Sequence, residues 1–508
     1  MLALLSNILM SPKLILGLRS TLTRNRLTER LRESFFLFGL TCLVWYVVRT
    51  GSKPSRASYP CQRAAAFNAN IWVAVYVFPL LSVDTWGNYL RRQWKPLVVI
   101  LVAVALSAGY MSTRDDGLGD GQMSPDMLSL TPMTASETPQ SDIYAVTGTD
   151  GGVQALMKLM AEHGQPFYRS AEAGDLQGPS GLIDAGDVVL IKVNSQWDER
   201  GGTNTDLVKS LIEALLAHPD GFKGEIVVAD NGQDQYGGAG SGGSLDWGRN
   251  NALDRGQSIQ DVVDTFSGSH NVSTYLWDRI TTNVVQEFAE GDMEDGYVVS
   301  TKVIASTGTM VSYPKFTTPY GTRVSFKYGV YVPEKDDYDV ERLKVLNVPV
   351  LKTHMIYGVT ASIKHYMGVP SDKLTRDLGY RAHDTVDEGG MGTLMAQTRV
   401  PALNIVDAIW VNARPGDGPR SRYASATEVN VVAASTDPVA LDYWASKHIL
   451  CRVCSEVFKA DASTMDPDNT ASGGFGDWLR LSMNELNAAG HQFTCDEDRI
   501  NVYLSTTG

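Results

Sequence analysis

The run Val345-Leu346-Asn347-Val348-Pro349-Val350-Leu351 is apolar and rich in β-branched side chains, and its length suits a buried strand rather than a helix. Where it ends, the chain delivers Lys352, Thr353 and His354 in succession. A strand with this pattern belongs to an open α/β sheet, and in such sheets the carboxyl edge of the strands is where ligands bind. After the small residues Gly358-Val359-Thr360-Ala361-Ser362 come Lys364 and His365. Charged groups are costly to bury without partners, so the cluster implies a bound anion, a metal or a carboxylate. The alternative is an ordinary strand followed by a solvated basic helix.

The surrounding chain repeats the strand-and-helix alternation. Asp142–Val146, Val188–Val193 and Glu225–Ala229 read as strands, with helical patterns at Val153–His163 and Asp206–His218. The predicted fold class is therefore α/β, a mostly parallel sheet with helices on both faces. Gly-rich residues 230–248 follow a strand end without a phosphate-loop motif, which leaves a flexible lid or a surface insertion. Residues 255–335 are β-rich and predict a subdomain or an antiparallel extension. Ala402–Val411 returns to a strand with Asp407 inside it, and Glu428–Ala434 is a last core strand. Ser435-Thr436-Asp437-Pro438 then reads as the cap of a helix, with Asp442 one turn further.

The string Asn347-Val-Pro-Val-Leu-Lys352-Thr353-His354, then Gly358-Val-Thr360, Lys364 and Met367-Gly368, resembles the core of a domain-of-unknown-function family, DUF362. The resemblance continues at Asp187–Asn194, Asn404–Asp407, Pro415–Pro419 and Ser435–Asp442, in the family's order, over about residues 141–508. Two positions depart from the family pattern, Val193 for Pro and His365 for Asn. The family has no agreed activity, so the resemblance implies a fold before a reaction. The segment from His354 to Lys364 also looks like a stretch of the nickel-pincer lactate racemases. That likeness implies a lysine carrying a covalent nickel cofactor, matched by Lys364, and a later histidine on the metal, matched by His383.

The first part of the chain differs in kind. Residues 1–33 are a basic segment, and 34–48, 64–83 and 96–113 are uncharged, apolar stretches. They predict a transmembrane region of about three helices, 34–113, ahead of the α/β domain. Lysines and arginines beside the spans favour a cytoplasmic amino terminus, so the large carboxyl-terminal domain is expected on the extracytoplasmic side and the membrane is an expected partner. Residues 114–140 read as a flexible acidic linker, and 141–508 as the α/β domain. The formal net charge of -13 argues against nucleic acid as a partner. Cys451 and Cys454, the only close cysteine pair, are either packed helix residues or a redox pair.

These readings converge on an enzyme that binds a small anionic substrate, or an anionic or metal-containing cofactor. A redox or metal-carrying accessory module and a non-catalytic binding domain are the other classes. Lys352, His354 and Lys364 are the candidate catalytic residues: lysines to hold negative charge or act as a nucleophile, histidine as acid or base. Lys192, Asn194, Thr353, Gly358, Thr360, Asp407, Gly416 and Gly418 are candidate ligand-binding positions at strand ends and turns. His354, His383, Asp437 and Asp442 are candidate metal or metal-supporting groups.

Overall fold

The computed structural model describes residues 128–148, 152–235 and 239–507, with residues 42, 43, 69, 121 and 122 of the preceding chain. The chain divides into two compact units, Met1–Gly117 and Leu118–Gly508, and the second holds almost all described residues.

Apart from four two-residue strands (Gly121–Gln122, Tyr168–Arg169, Gln177–Gly178 and Ile183–Asp184), the described strands of the second unit are β1 (Ser141–Thr147), β2 (Val188–Lys192), β3 (Glu225–Asp230), β4 (Val272–Leu276), β5 (Gly296–Ile304), β6 (Thr309–Thr317), β7 (Arg323–Ser325), β8 (Gly329–Val332), β9 (Asp337–Asp339), β10 (Leu343–Asn347), β11 (Val350–His354), β12 (Gly358–Thr360), β13 (Leu403–Asn412), β14 (Thr427–Ser435) and β15 (Ile500–Thr506). Its helices are α1 (Val153–Glu162), α2 (Thr205–Leu216), α3 (Ile259–Ser267), α4 (Ser362–His365), α5 (Asp372–Asp377), α6 (Gly390–Gln397), α7 (Pro438–Ala445), α8 (Cys451–Glu456) and α9 (Phe475–Ala488).

The large sheet runs β15-β1-β14-β13-β10-β2-β3-β4, with the β11–β12 hairpin beside β13. Strands β13, β10, β2, β3 and β4 are parallel, and so are β15 and β1. Strand β14 is antiparallel to both its neighbours. The sheet is thus mostly parallel, as expected, and mixed only through β14 on this path and through the β11–β12 hairpin. Strands β5 to β9 form a separate five-stranded antiparallel sheet, which is the subdomain expected in residues 255–335.

Period-two alternation explains how both faces of the large sheet are covered. In β2, Val188 and Leu190 pack with Val345, Trp444 and Trp478 on one side. Val189 and Ile191 pack with Leu207, Leu211 and Val262 of α2 and α3 on the other. Each such aliphatic side chain is fully buried and contributes on the order of 2 kcal/mol through apolar area removed from water. Helix α2 starts where the Asn204 side chain accepts the N–H groups of Asp206 and Leu207, and α3 starts in a Ser258–Asp261 capping box.

Two expectations are corrected here. Among the described residues no helix is long and apolar enough to cross a membrane. The stretches 34–48, 64–83 and 96–113 lie outside the described residues except for Cys42, Leu43 and Ala69. The fold class of the described residues stands as α/β, and the transmembrane region and the extracytoplasmic placement that depended on it gain no support. The expected linker, moreover, does not run free to residue 140. Met133 exchanges backbone hydrogen bonds with Val502 of β15, and Glu137 and Gln140 donate to the carbonyls of Asp498 and Arg499.

Capping gives a direct test of this framework. Asn204→Ala should cost about 1 kcal/mol in urea unfolding. Asp437→Ala should cost more, about 2 to 4 kcal/mol, because its carboxylate caps α7 at Val439 and Ala440 and also receives Thr494 N–H and the Ser141 hydroxyl. Equal losses would show that the two caps are energetically alike.

Candidate functional site

Parallel pairing aligns Lys192 at the end of β2 with Asn347 at the end of β10 and Ala229 next to the end of β3. The Lys192 ammonium is fully buried and bonds the Asp230 carboxylate at 2.9 Å. The other Asp230 oxygen accepts both the N–H and the hydroxyl of Ser195 at 2.9 Å. Gly368 closes over this pair so tightly that a Cβ there would strike Asp230 Oδ1 and Lys192 Nζ. Asn231 N–H donates to the Gly368 carbonyl and fixes the same turn.

Beyond that layer β11 carries the Lys-Thr-His sequence. Lys352 and His354, two residues apart, lie on one face of the strand, and Thr360 is Lys352's cross-strand partner on β12. Thr353 faces the other way; its hydroxyl donates to Gly358 O, and Gly418 packs on its carbonyl with no room for a side chain. Gly358 has φ +76 and abuts Thr464 O, which explains why glycine closes this hairpin. Gly416, by contrast, faces open space.

Helix α4 is a single turn, and its start is held by a residue from another helix. The Asp442 carboxylate accepts Ser362 N–H at 2.7 Å and Ile363 N–H at 2.8 Å. Lys364 leaves this turn with its ammonium 5.3 Å from the centroid of the Tyr357 ring. The Tyr357 hydroxyl donates to the His383 carbonyl, and the His383 N–H donates to Asp372, which is paired with Arg381 at 3.0 Å. His383 is buried in a short turn, Ala382–Thr385, with its ring 6.0 Å from that of His354.

Lys352, His354, Lys364 and His383 therefore share one buried locus. Lys352 donates to Gly201 O at 2.5 Å. Neither Lys352 nor Lys364 has a carboxylate within ion-pair distance among the described residues. Burial pushes both amines down to about 7, and the Lys364 charge adds to the effect on Lys352; Asp230 and Asp407 oppose it there, as Asp372 does at Lys364. Burial and the same lysine also hold the His354 and His383 imidazoles well below their ordinary value. His354 Nδ1 accepts the N–H groups of Ile356 and Tyr357, which puts the ring's proton on Nε2. Among the described residues, His354 Nε2, the ring nitrogens of His383 and the buried Thr360 hydroxyl have no hydrogen-bond partner.

Other candidates are spent on structure. His365 bonds Asn347 through Nδ1 at 2.8 Å, within a polar row across the sheet that continues to Asn404. Asp407 is fully buried and receives the N–H groups of Asn204 and Ile409 and the Asn251 amide. Its carboxyl is raised to about 6 by burial. Asn194 accepts Val350 N–H at 2.8 Å and lines a small cleft with Trp197, Glu199 and Trp247, roomy enough for about one water. None of Lys352, His354, Lys364 or His383 lines that cleft.

Asp437 and Asp442 do not join His354 and His383. Antiparallel β14 brings Ser435 beside Asn404, which pairs with Asn347. Lys352 lies five residues beyond Asn347 in one direction and Asp437 two residues beyond Ser435 in the other, on the order of 20 Å apart at strand spacing. Among the described residues no group of three or more His, Cys, Asp or Glu side chains could hold a metal ion. Cys451 and Cys454 are free thiols, not a disulfide. Sequence reasoning missed Tyr357, Asp372 and Arg381, although all three lie in or next to the strings it singled out. The cleft tryptophans lay in segments with no recognisable period.

Residues 340–447 match the family model described as Domain of unknown function (DUF362), so a domain of this family is present over β10 to α7. The match is narrower than the resemblance read over residues 141–508. It contains Lys352, His354, Lys364 and His383 but neither Lys192 nor Asn194. No curated protein and no solved structure matches the chain. The likeness to the lactate racemases gains no support from these comparisons.

The two unpaired lysines make stability depend on pH in a defined sense. Their folded-state values, about 7, lie below the ordinary 10.5, so between these limits the unfolded chain binds protons that the folded chain has released. Stability should rise with pH across pH 7 to 10.5, by up to ~1.4 kcal/mol per pH unit for each lysine. Lys352→Met and Lys364→Met should each flatten that rise and be more stable than the parent at pH 6, measured by chemical denaturation. Parallel pH profiles for parent and variants would contradict this.

Proposed function

We propose that the DUF362 domain of this chain is an enzyme that takes a small anionic substrate, a carboxylate or a phosphate, at the Lys352–His354–Lys364–His383 centre. The observation that supports this reading best is the pair of buried lysines with no carboxylate partner. An ammonium without a counter-charge is expensive in an apolar surrounding, and groups perturbed in this way concentrate at functional sites.

Each feature of the centre has a use in such chemistry. At neutral pH both amines divide between charged and neutral forms. The charged form binds the anion. The neutral form of Lys364 is a nucleophile toward a carbonyl carbon or a base toward an acidic C–H. His354 presents an N–H at Nε2, suited to donate to an anionic oxygen, and Thr360 adds a hydroxyl on the same side. Tyr357 and the Asp372–Arg381 pair position Lys364 and His383. A cofactor bearing a carboxylate or phosphate would satisfy the same lysines. Among the described residues no cluster of donors joins His354 and His383 around a metal ion, and Asp437 and Asp442 accept backbone N–H groups instead.

Calorimetric titration with inorganic phosphate and with oxalate tests the reading. Binding should be tighter at pH 6 than at pH 8.5 and at least tenfold weaker in Lys352→Met and in Lys364→Met. Affinity that is independent of pH and unchanged in both variants would sink it.

A further inference from the structure

The side chains that face Lys364 supply no counter-charge. Its ammonium lies 5.3 Å from the centroid of the Tyr357 ring. Lys352 and His354 come from β11, His383 from the turn after α5 and His365 from α4 itself, and each feels the Lys364 charge. Lysine, histidine and tyrosine side chains offer no anion at neutral pH. The carboxylate that pulls the Lys364 amine upward is Asp372, at the start of α5, and Arg381 pushes the amine back down. Asp372 is buried, and both of its oxygens are taken elsewhere. One pairs with Arg381 Nε at 3.0 Å, and the other accepts the His383 N–H at 2.8 Å. Seen from further away, a carboxylate so paired acts as a dipole rather than as a full charge.

Arg381 is itself held from two sides. One terminal nitrogen donates to Asp384 at 2.8 Å, and the other donates to the side-chain oxygen of Gln235. The guanidinium is a rigid planar fork, so fixing its two outer nitrogens aims Nε at Asp372. Asp384 is largely exposed, and water competes there for the guanidinium. Gln235 belongs to the Gly-rich segment after β3, and its backbone carbonyl also accepts the Arg376 guanidinium of α5. The stem of that segment reaches the lysine centre a second time, because Asn231 N–H fixes the Gly368 carbonyl just after Lys364.

We propose that Arg381 is a positioning residue for the lysine centre: it withholds the Asp372 carboxylate from Lys364, and Gln235 holds Arg381 to that task from the Gly-rich loop. The proposal rests on the reading of the lysine centre as the reactive site, and it adds a means of control. Displacing Gln235 from Arg381 loosens the guanidinium and frees Asp372 to become the counter-ion of Lys364, which keeps the amine charged and therefore not nucleophilic.

Chemical denaturation of the full chain across a pH series reads the Lys364 proton without any ligand. The folded Lys364 amine lies at about 7 against an ordinary 10.5, so the stability difference between the parent and Lys364→Met changes with pH between those limits. In an Arg381→Gln background the same Lys364→Met substitution should show its change beginning about one pH unit higher or more, because the freed carboxylate favours the ammonium. Arg381→Lys, which returns a cation, should bring the onset back toward that of the parent. Gln235→Ala should raise the onset by less, in the same direction. A cooperative transition shows in each case that the variant is folded. An onset that stays at the parent's value in folded Arg381→Gln or in Gln235→Ala, or one that Arg381→Lys leaves as high as Arg381→Gln does, would overturn the proposal. No anion is present, so this failure is distinct from failure of the lysine centre to bind phosphate or oxalate, which has its own titration.

Discussion

The buried Lys192–Asp230 pair is the interaction on which the carboxyl edge of the sheet depends. One carboxylate joins the ends of two adjacent parallel strands and anchors the turn at Ser195. Gly368 is pressed against it from above, so the turn that follows Lys364 is placed by the same contact. A charge pair out of water is a weak source of net stability, because desolvation offsets most of the attraction. Its value here is geometric: two β-ends, a turn and the segment after α4 are fixed relative to each other by a few directional bonds.

That fixed edge makes the perturbed lysines intelligible. Burial pushes all three lysine amines below their ordinary value; at Lys192 a carboxylate at 2.9 Å opposes the shift, whereas Lys352 and Lys364 have none within ion-pair distance among the described residues. The difference between the three arises from what the neighbouring strand end provides. Strand β3 ends in Asp230, whereas β11 ends against a carbonyl at Gly201 and α4 points Lys364 at an aromatic face. Three lysines of equal intrinsic basicity thus acquire different roles from position alone.

The strands that build this edge were legible from sequence because they are buried on both sides. Val188–Ile191 has no polar residue and Val345–Leu351 has only Asn347, and only a covered strand tolerates so apolar a run. The juxtaposition of Lys352, His354 and Lys364 was legible too, since short spacing leaves a hairpin and one helical turn little freedom. Direction was not. Nothing in Thr427–Ser435 distinguishes a parallel from an antiparallel neighbour, and the reversal of β14 carries Asp437 away from the lysines. The buried Asp407 carboxylate is satisfied by Asn204 and Asn251, which no local pattern links to it. The tryptophan cleft was invisible for the same reason, being assembled from loops about fifty residues apart in the chain.

Gly201 and Gly202 stand between Lys352 and the small cleft beside Asn194. The carbonyl of the first receives the Lys352 ammonium, and the second forms part of the cleft wall. The partition is thus a single thickness of backbone without side chains, and a Cβ on Gly201 would collide with Trp197 and crowd Ser421 N. Whatever shifts that peptide by a fraction of an ångström changes the lysine's hydrogen bond and the indole's packing together. One short segment without side chains thus sets both the Lys352 hydrogen bond and the seat of the Trp197 indole.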